Sequence, residues 1–149
     1  MKPIRTWVLI ADAARARVFE ARGKGRGLTT VQDMSLDAEL APSRDLGTDR
    51  PGRSFDSVGN ARHAMQSPSD PHREQKRQFA RRIAEAVEKR RAARSFDRLV
   101  LVAPAVTMGD LRTLLTDGVK ATVTAEVVAD LTNTPKSELP AHLADYVTL

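Results

Sequence analysis

The residues best suited to chemistry lie near the middle of the chain. Asp49-Arg50-Pro51-Gly52-Arg53-Ser54-Phe55-Asp56-Ser57 gathers two arginines, two hydroxyls, a glycine and one aromatic ring in a short span. A guanidinium fork bonds two phosphate oxygens at once, which suits Arg50 and Arg53 to a phosphate, and Phe55 offers a face on which a base can stack. Val58-Gly59-Asn60-Ala61-Arg62 follows, with one amide side chain and a further cation. A structural role is equally open: Arg50 and Arg53 pair with Asp49 and Asp56 to pin the loop, and Phe55 tucks into the core. Downstream, Arg73, Lys76, Arg77, Arg81 and Arg82 extend the positive surface, although a charged helix face is commonly just solvated.

Other chemistries find less support. The chain has no cysteine, which excludes a disulfide framework, a thiolate-ligated metal and a thiol nucleophile. His63 and His72 straddle Pro68 and Pro71, and His142 lies far away, so the histidines have no ligand spacing and no metal or cofactor is expected. Asp12 and Asp130 follow strand-like segments that end at one sheet edge, as a two-metal nuclease would require. With a strand between them at about 4.8 Å per strand, they are expected roughly 10 Å apart, with no third carboxylate at Ala103-Pro104-Ala105. Glu85 and Glu88 are expected on a solvated helix face. Gly23-Lys24-Gly25-Arg26-Gly27 lacks the Lys-Ser/Thr ending of a phosphate-binding loop and sits between strands, so it reads as a hairpin turn.

The elements that would position these residues follow from hydrophobic period. Trp7-Val8-Leu9-Ile10-Ala11 is a continuous apolar run, predicting a strand covered on both faces. Arg15 to Ala21 largely alternates, as a half-buried strand does, and Leu28 to Leu36 reads as a third strand after the glycine turn. Prolines and glycines interrupt residues 37–69, which read as a long basic loop, and loops of that length are usually functional or disordered. Asp70-Pro71 predicts a helix start, with Phe79, Ile83 and Val87 forming an apolar stripe beside Ala80, Ala84 and Ala86. Leu99 to Ala103 is a second buried strand. Thr107 and Asp110 resemble a capping box for a helix burying Leu111, Leu114 and Leu115. Val123 to Val128 is a last strand, and Ser137 is expected to cap a short helix with Leu139, Leu143 and Tyr146 inward. The order βββαβαβα, with right-handed crossovers, predicts a five-stranded mixed α/β sheet ordered 3-2-1-4-5, the ribonuclease H-like arrangement.

A length of 149 residues fits one domain spanning residues 1–149. No apolar run approaches the ~18 residues of a membrane span, and the first residues lack a signal peptide's apolar stretch, so a cytoplasmic protein without membrane insertion is expected. The formal charge of +5 is unevenly divided. Residues 1–94 carry 20 basic and 12 acidic side chains, whereas residues 95–149 carry 4 and 7. Of the 24 basic residues 18 are arginine, which makes nucleic acid a natural partner.

Several segments carry a resemblance. Trp7 to Asp12 with Ala14 to Phe19, the Asp49–Ser57 stretch, Phe96 to Pro104 and Asp130-Leu131-Thr132 together resemble the bacterial host-attachment protein family along nearly the whole chain. That resemblance implies a protein required for attachment to host cells. A more distant, collinear resemblance is to the middle domain of archaeo-eukaryotic peptide-chain release factors and Pelota, which has the same element order and a long basic loop after its third strand. In release factors that loop bears Gly-Gly-Gln, which serves peptidyl-tRNA ester hydrolysis. Here the corresponding stretch is Val58-Gly59-Asn60-Ala61-Arg62: the first glycine is replaced by Val58 and the glutamine by Asn60.

The expected function is therefore that of a release-factor-like domain contacting rRNA, tRNA or the ribosome through Arg50, Arg53, Phe55, Arg62, Arg73, Lys76, Arg77 and Arg81. Its role in host attachment would be indirect. One alternative is a peptidyl-tRNA or other ester hydrolase acting through the 49–62 loop, with Asn60 positioning water; another is an interaction module whose basic loop and helix bind an acidic protein.

Overall fold

The computed structural model describes residues 3–38 and 71–149. Strand β1 (Thr6–Ala11) lies at the centre, antiparallel to β2 (Arg15–Ala21) and parallel to β5 (Arg98–Ala103). Strand β3 (Leu28–Thr30) extends the sheet beyond β2, and β6 (Val123–Val128) pairs parallel to β5 at the other side. The order β3-β2-β1-β5-β6 is the expected 3-2-1-4-5 arrangement. A two-residue strand β4 (Leu36–Asp37) also pairs with β2.

The unbroken apolar run of β1 has a direct cause. A strand's side chains alternate between faces, and here both faces are covered. Trp7, Leu9 and Ala11 join Leu99 and Leu101 against helix α1 (Pro71–Ala92), which presents the expected stripe of Phe79, Ile83 and Val87. Helix α2 (Ala105–Leu114) adds Met108 and Leu111 to the same layer. Val8, Ile10, Val100 and Val102 point the other way, onto Leu139 and Leu143 of the short helix α4 (Leu139–Leu143).

Four local expectations are corrected. The third strand does not run from Leu28 to Leu36. A 3-10 turn at Gln32–Met34 divides it into β3 and β4. Leu28, Met34 and Leu36 have the same parity, so an unbroken strand would send all three to one face. The turn instead leaves Leu28 on the α4 face and delivers Met34 and Leu36 to the α1 face, while Val31 N–H donates to Val18 O at 2.9 Å.

The capping box at Thr107 and Asp110 is not formed. Pro104, with extended backbone at φ −62° and ψ 162°, is the N-cap of α2 three residues earlier, and no side chain caps it. Thr107 is then inside the helix and buried. At the C-terminal end Ser137 caps nothing: it is exposed within a 3-10 turn at Lys136–Glu138 that leads into α4. Leu139 and Leu143 are fully buried, as expected, but Tyr146 is 45% exposed because Val147 takes the place against the core. A further one-turn helix, α3 (Asp117–Lys120), has Thr116 as its cap, with Val119 N–H donating to the Thr116 hydroxyl at 3.1 Å.

Candidate functional site

Chain connections leave β1 toward β2 and leave β5 toward β6, in opposite directions across the sheet. In open α/β sheets this divergence opens a crevice at the carboxyl ends of the parallel strands, where ligands commonly bind. A cavity of about 260 Å³ lies there, lined by Asp12, Ala14, Lys76, Pro104, Val106 and Thr107. Three segments thus meet: the β1–β2 turn, the first part of α1, and the start of α2.

Asp12 is fixed by its own turn. Its Oδ1 accepts the backbone N–H groups of Ala14 at 2.8 Å and Arg15 at 2.7 Å, and its own N–H donates to Arg15 O at 2.9 Å. Its other oxygen faces the hydroxyl of Thr132, which is 1% exposed and lies 2.8 Å from Asp12 Oδ2 and 2.8 Å from Asp130 Oδ1. A hydroxyl has one proton to donate, so it serves one carboxylate at a time.

The expected 10 Å gap between Asp12 and Asp130 is therefore closed at the side-chain level. Counting strands measured the distance between strand ends, but the segment after β6 folds back over the end of β5. Arg17 holds that segment, donating from one guanidinium nitrogen to Leu131 O at 2.8 Å and Thr134 O at 2.9 Å. Burial, and then the neighbouring Arg15, lower the Arg17 pKa from its ordinary value. No group of three or more histidine or carboxylate side chains is placed to hold a metal among the described residues.

The cations of α1 divide by partner. Arg73 grips Asp110 of α2 with two bonds, at 2.7 and 2.5 Å. Arg77 meets Glu74 at 3.3 Å on an exposed surface. Arg82 donates to Asp37 O at 3.2 Å and lies over the Phe79 ring. Farther along, Arg90 pairs with Asp33 at 2.8 Å, and hydrogen bonding to Arg90 holds the Asp33 carboxyl below its ordinary pKa. Arg91 bonds Glu88 twice at 2.8 Å, and Thr116 donates to the same carboxylate. Those bonds lower the Glu88 pKa to about 2 and raise that of Arg91. Glu88 is thus a structural partner, not the solvated acid expected. Lys76 and Arg81 are exposed and make no ion pair or hydrogen bond among the described residues.

Lys76 also differs in placement from the expected outer surface. It precedes Phe79 by three residues and Ile83 by seven, so it continues the buried stripe of α1 past the edge of the sheet. There it faces the cavity. The same phase was available in the sequence, as a lysine where the stripe calls for an apolar residue. Thr107 and Thr132 have no comparable signal, because Thr107 has the residue type of a cap and the fold-back that buries Thr132 is tertiary.

Arg50, Arg53, Phe55, Asn60 and Arg62 lie outside the described residues, as does His63. Residues 37–69 hold four arginines against five acidic residues, so any basic character there lies in local spacing and not in net charge. The ends of the described segments flank the cavity: Ala38 N–H donates to Ala14 O at 2.8 Å, and α1 begins at Pro71, five residues before Lys76.

Among the described residues no helix is long and apolar enough to cross a membrane. No curated protein matches the chain. The sequence pattern of a protein family does match, over residues 7–143, and its description is "Protein required for attachment to host cells". That span takes in β1 from Trp7 onward, the whole cavity, the Asp12–Thr132–Asp130 bridge and α4. The chain belongs to this host-attachment family.

Proposed function

We propose that this host-attachment family protein is a cytoplasmic, release-factor-like domain that binds RNA or the ribosome, and that its part in attachment is indirect. The observation that carries the reading is Lys76, a cation with no acidic partner among the described residues, at a cavity flanked by Ala38 and Pro71. Between those two positions the chain carries Arg50, Arg53 and Arg62. The charge excess of residues 1–94 supports it, as does Arg81, which is exposed and also without a partner among the described residues. Arg73 and Arg77, engaged with Asp110 and Glu74, contribute less than they promised as residue types.

Gel-shift series with rRNA and tRNA across a range of salt test this. Affinity is expected to fall linearly on logarithmic axes, by about 0.7–0.9 in slope per phosphate contact. Replacing Arg50, Arg53 and Arg62 together by alanine should flatten that slope. Absence of a complex at low salt overturns the reading, and capture of an acidic protein that survives nuclease treatment would replace it.

A further inference from the structure

We infer that the cavity between β1, α1 and the start of α2 is a binding site for one phosphate group. Helix geometry leaves the N–H groups of Ala105, Val106 and Thr107 without intrahelical acceptors, and no side chain caps α2. A helix start of this kind favours an anion through both its free donors and its dipole.

Two further observations make this more than a bare helix terminus. Thr107 lines the cavity and is 7% exposed, yet its hydroxyl makes no hydrogen bond among the described residues. Thr107 is not among the residues whose buried polar atoms lack a partner, so the little of it that is exposed borders the cavity and is open to a ligand oxygen. Lys76 reaches the same cavity from the opposite wall, on the face of α1 that elsewhere is apolar, and it too has no partner among the described residues. The start of α2, with Val106 and Thr107 in the lining, and Lys76 thus border one small space.

The single carboxylate in the lining does not defeat this. Asp12 Oδ1 accepts from Ala14 and Arg15, and its Oδ2 lies 2.8 Å from the Thr132 hydroxyl that it shares with Asp130, so its oxygens are turned to partners within the protein. At about 260 Å³ the cavity falls just below the roughly 300–1,000 Å³ of small-molecule pockets, which suits a small anionic group. That group is a free phosphate or a phosphate of an RNA chain. Only the second source rests on the function proposed above.

Amide chemical shifts of the full chain, followed during titration with inorganic phosphate at constant ionic strength, test the site. Ala105, Val106 and Thr107 should show the largest movements. Lys76→Ala and Thr107→Val, each checked for native circular dichroism, should each weaken binding by about tenfold. Lys89→Ala, on the same helix but outside the cavity, should bind as the parent does. Titration of the same samples with a short oligoribonucleotide separates the sources. Phosphate moving the three amides while RNA fails to bind keeps the site and removes the RNA reading. RNA binding with those amides unmoved in both titrations removes the site and keeps the RNA reading. Phosphate binding that is unchanged in both variants also overturns the assignment.

Discussion

The two ends of helix α1 carry similar cations and use them differently. At the C-terminal end Arg90 pairs with Asp33 and Arg91 with Glu88, whose carboxylate also accepts from the Thr116 hydroxyl, tying the helix to the 3-10 turn after β3 and to the start of α3. The packing there is close: a Cβ added to Gly118 would come within 2.8 Å of the Arg91 guanidinium. At the N-terminal end Arg73 is similarly committed to Asp110, but Lys76 faces a cavity with an uncapped helix start opposite. Charge count does not separate these ends. What separates them is where the lysine without a partner among the described residues sits: Lys89 is exposed outside any cavity lining, whereas Lys76 lines the cavity.

Both ends depend on the stripe between them, and the largest effect is expected there. Ile83→Ala empties a fully buried position and should cost about 2–5 kcal/mol in urea denaturation. If the two ends are held independently of that stripe, the loss will be smaller and the coupling between them falls.

An intermediate effect isolates the N-terminal end. Asp110→Ala removes the bidentate partner of Arg73 and should destabilise by about 1.5–3 kcal/mol, the range for hydrogen bonds to charged groups. A change within a few tenths would mean that the α1–α2 contact is carried by Met108 and Leu111 alone.

The smallest effect isolates the other end. Because the folded pKa of Glu88 is depressed from its ordinary 4.5, its contribution is complete above that value and is lost as pH falls toward about 2. The carboxyl signal of Glu88 should therefore titrate near 2, and Arg91→Ala should return it toward 4.5. An unshifted midpoint in the parent protein would show that this end is solvated, and the contrast between the ends would vanish.

Part of this arrangement is legible in particular residues. The unbroken apolar run at Trp7–Ala11 announced a doubly covered central strand, and the Phe79–Ile83–Val87 stripe announced the helix that covers it. Both signals are short-range and repeat at a fixed period, so they survive without the fold. The division of β3 from β4 was hidden because a single run of strand formers gives no sign of a change of face. The start of α2 was misplaced because Thr107 and Asp110 have the residue types of a cap, and only the packed structure gives Asp110 to Arg73.

The sequence by itself determined the sheet order, the helix stripe, the uneven charge and membership in the host-attachment family, because each rests on periodicity, residue type or pattern along the chain. Only the tertiary structure decided which polar groups meet. Asp12 and Thr132 stand 120 positions apart and Arg73 and Asp110 stand 37 apart. No local rule sets those distances. They follow from the segment after β6 folding over β5 and from α1 packing beside α2, and those same contacts leave Lys76 and Thr107 facing the cavity.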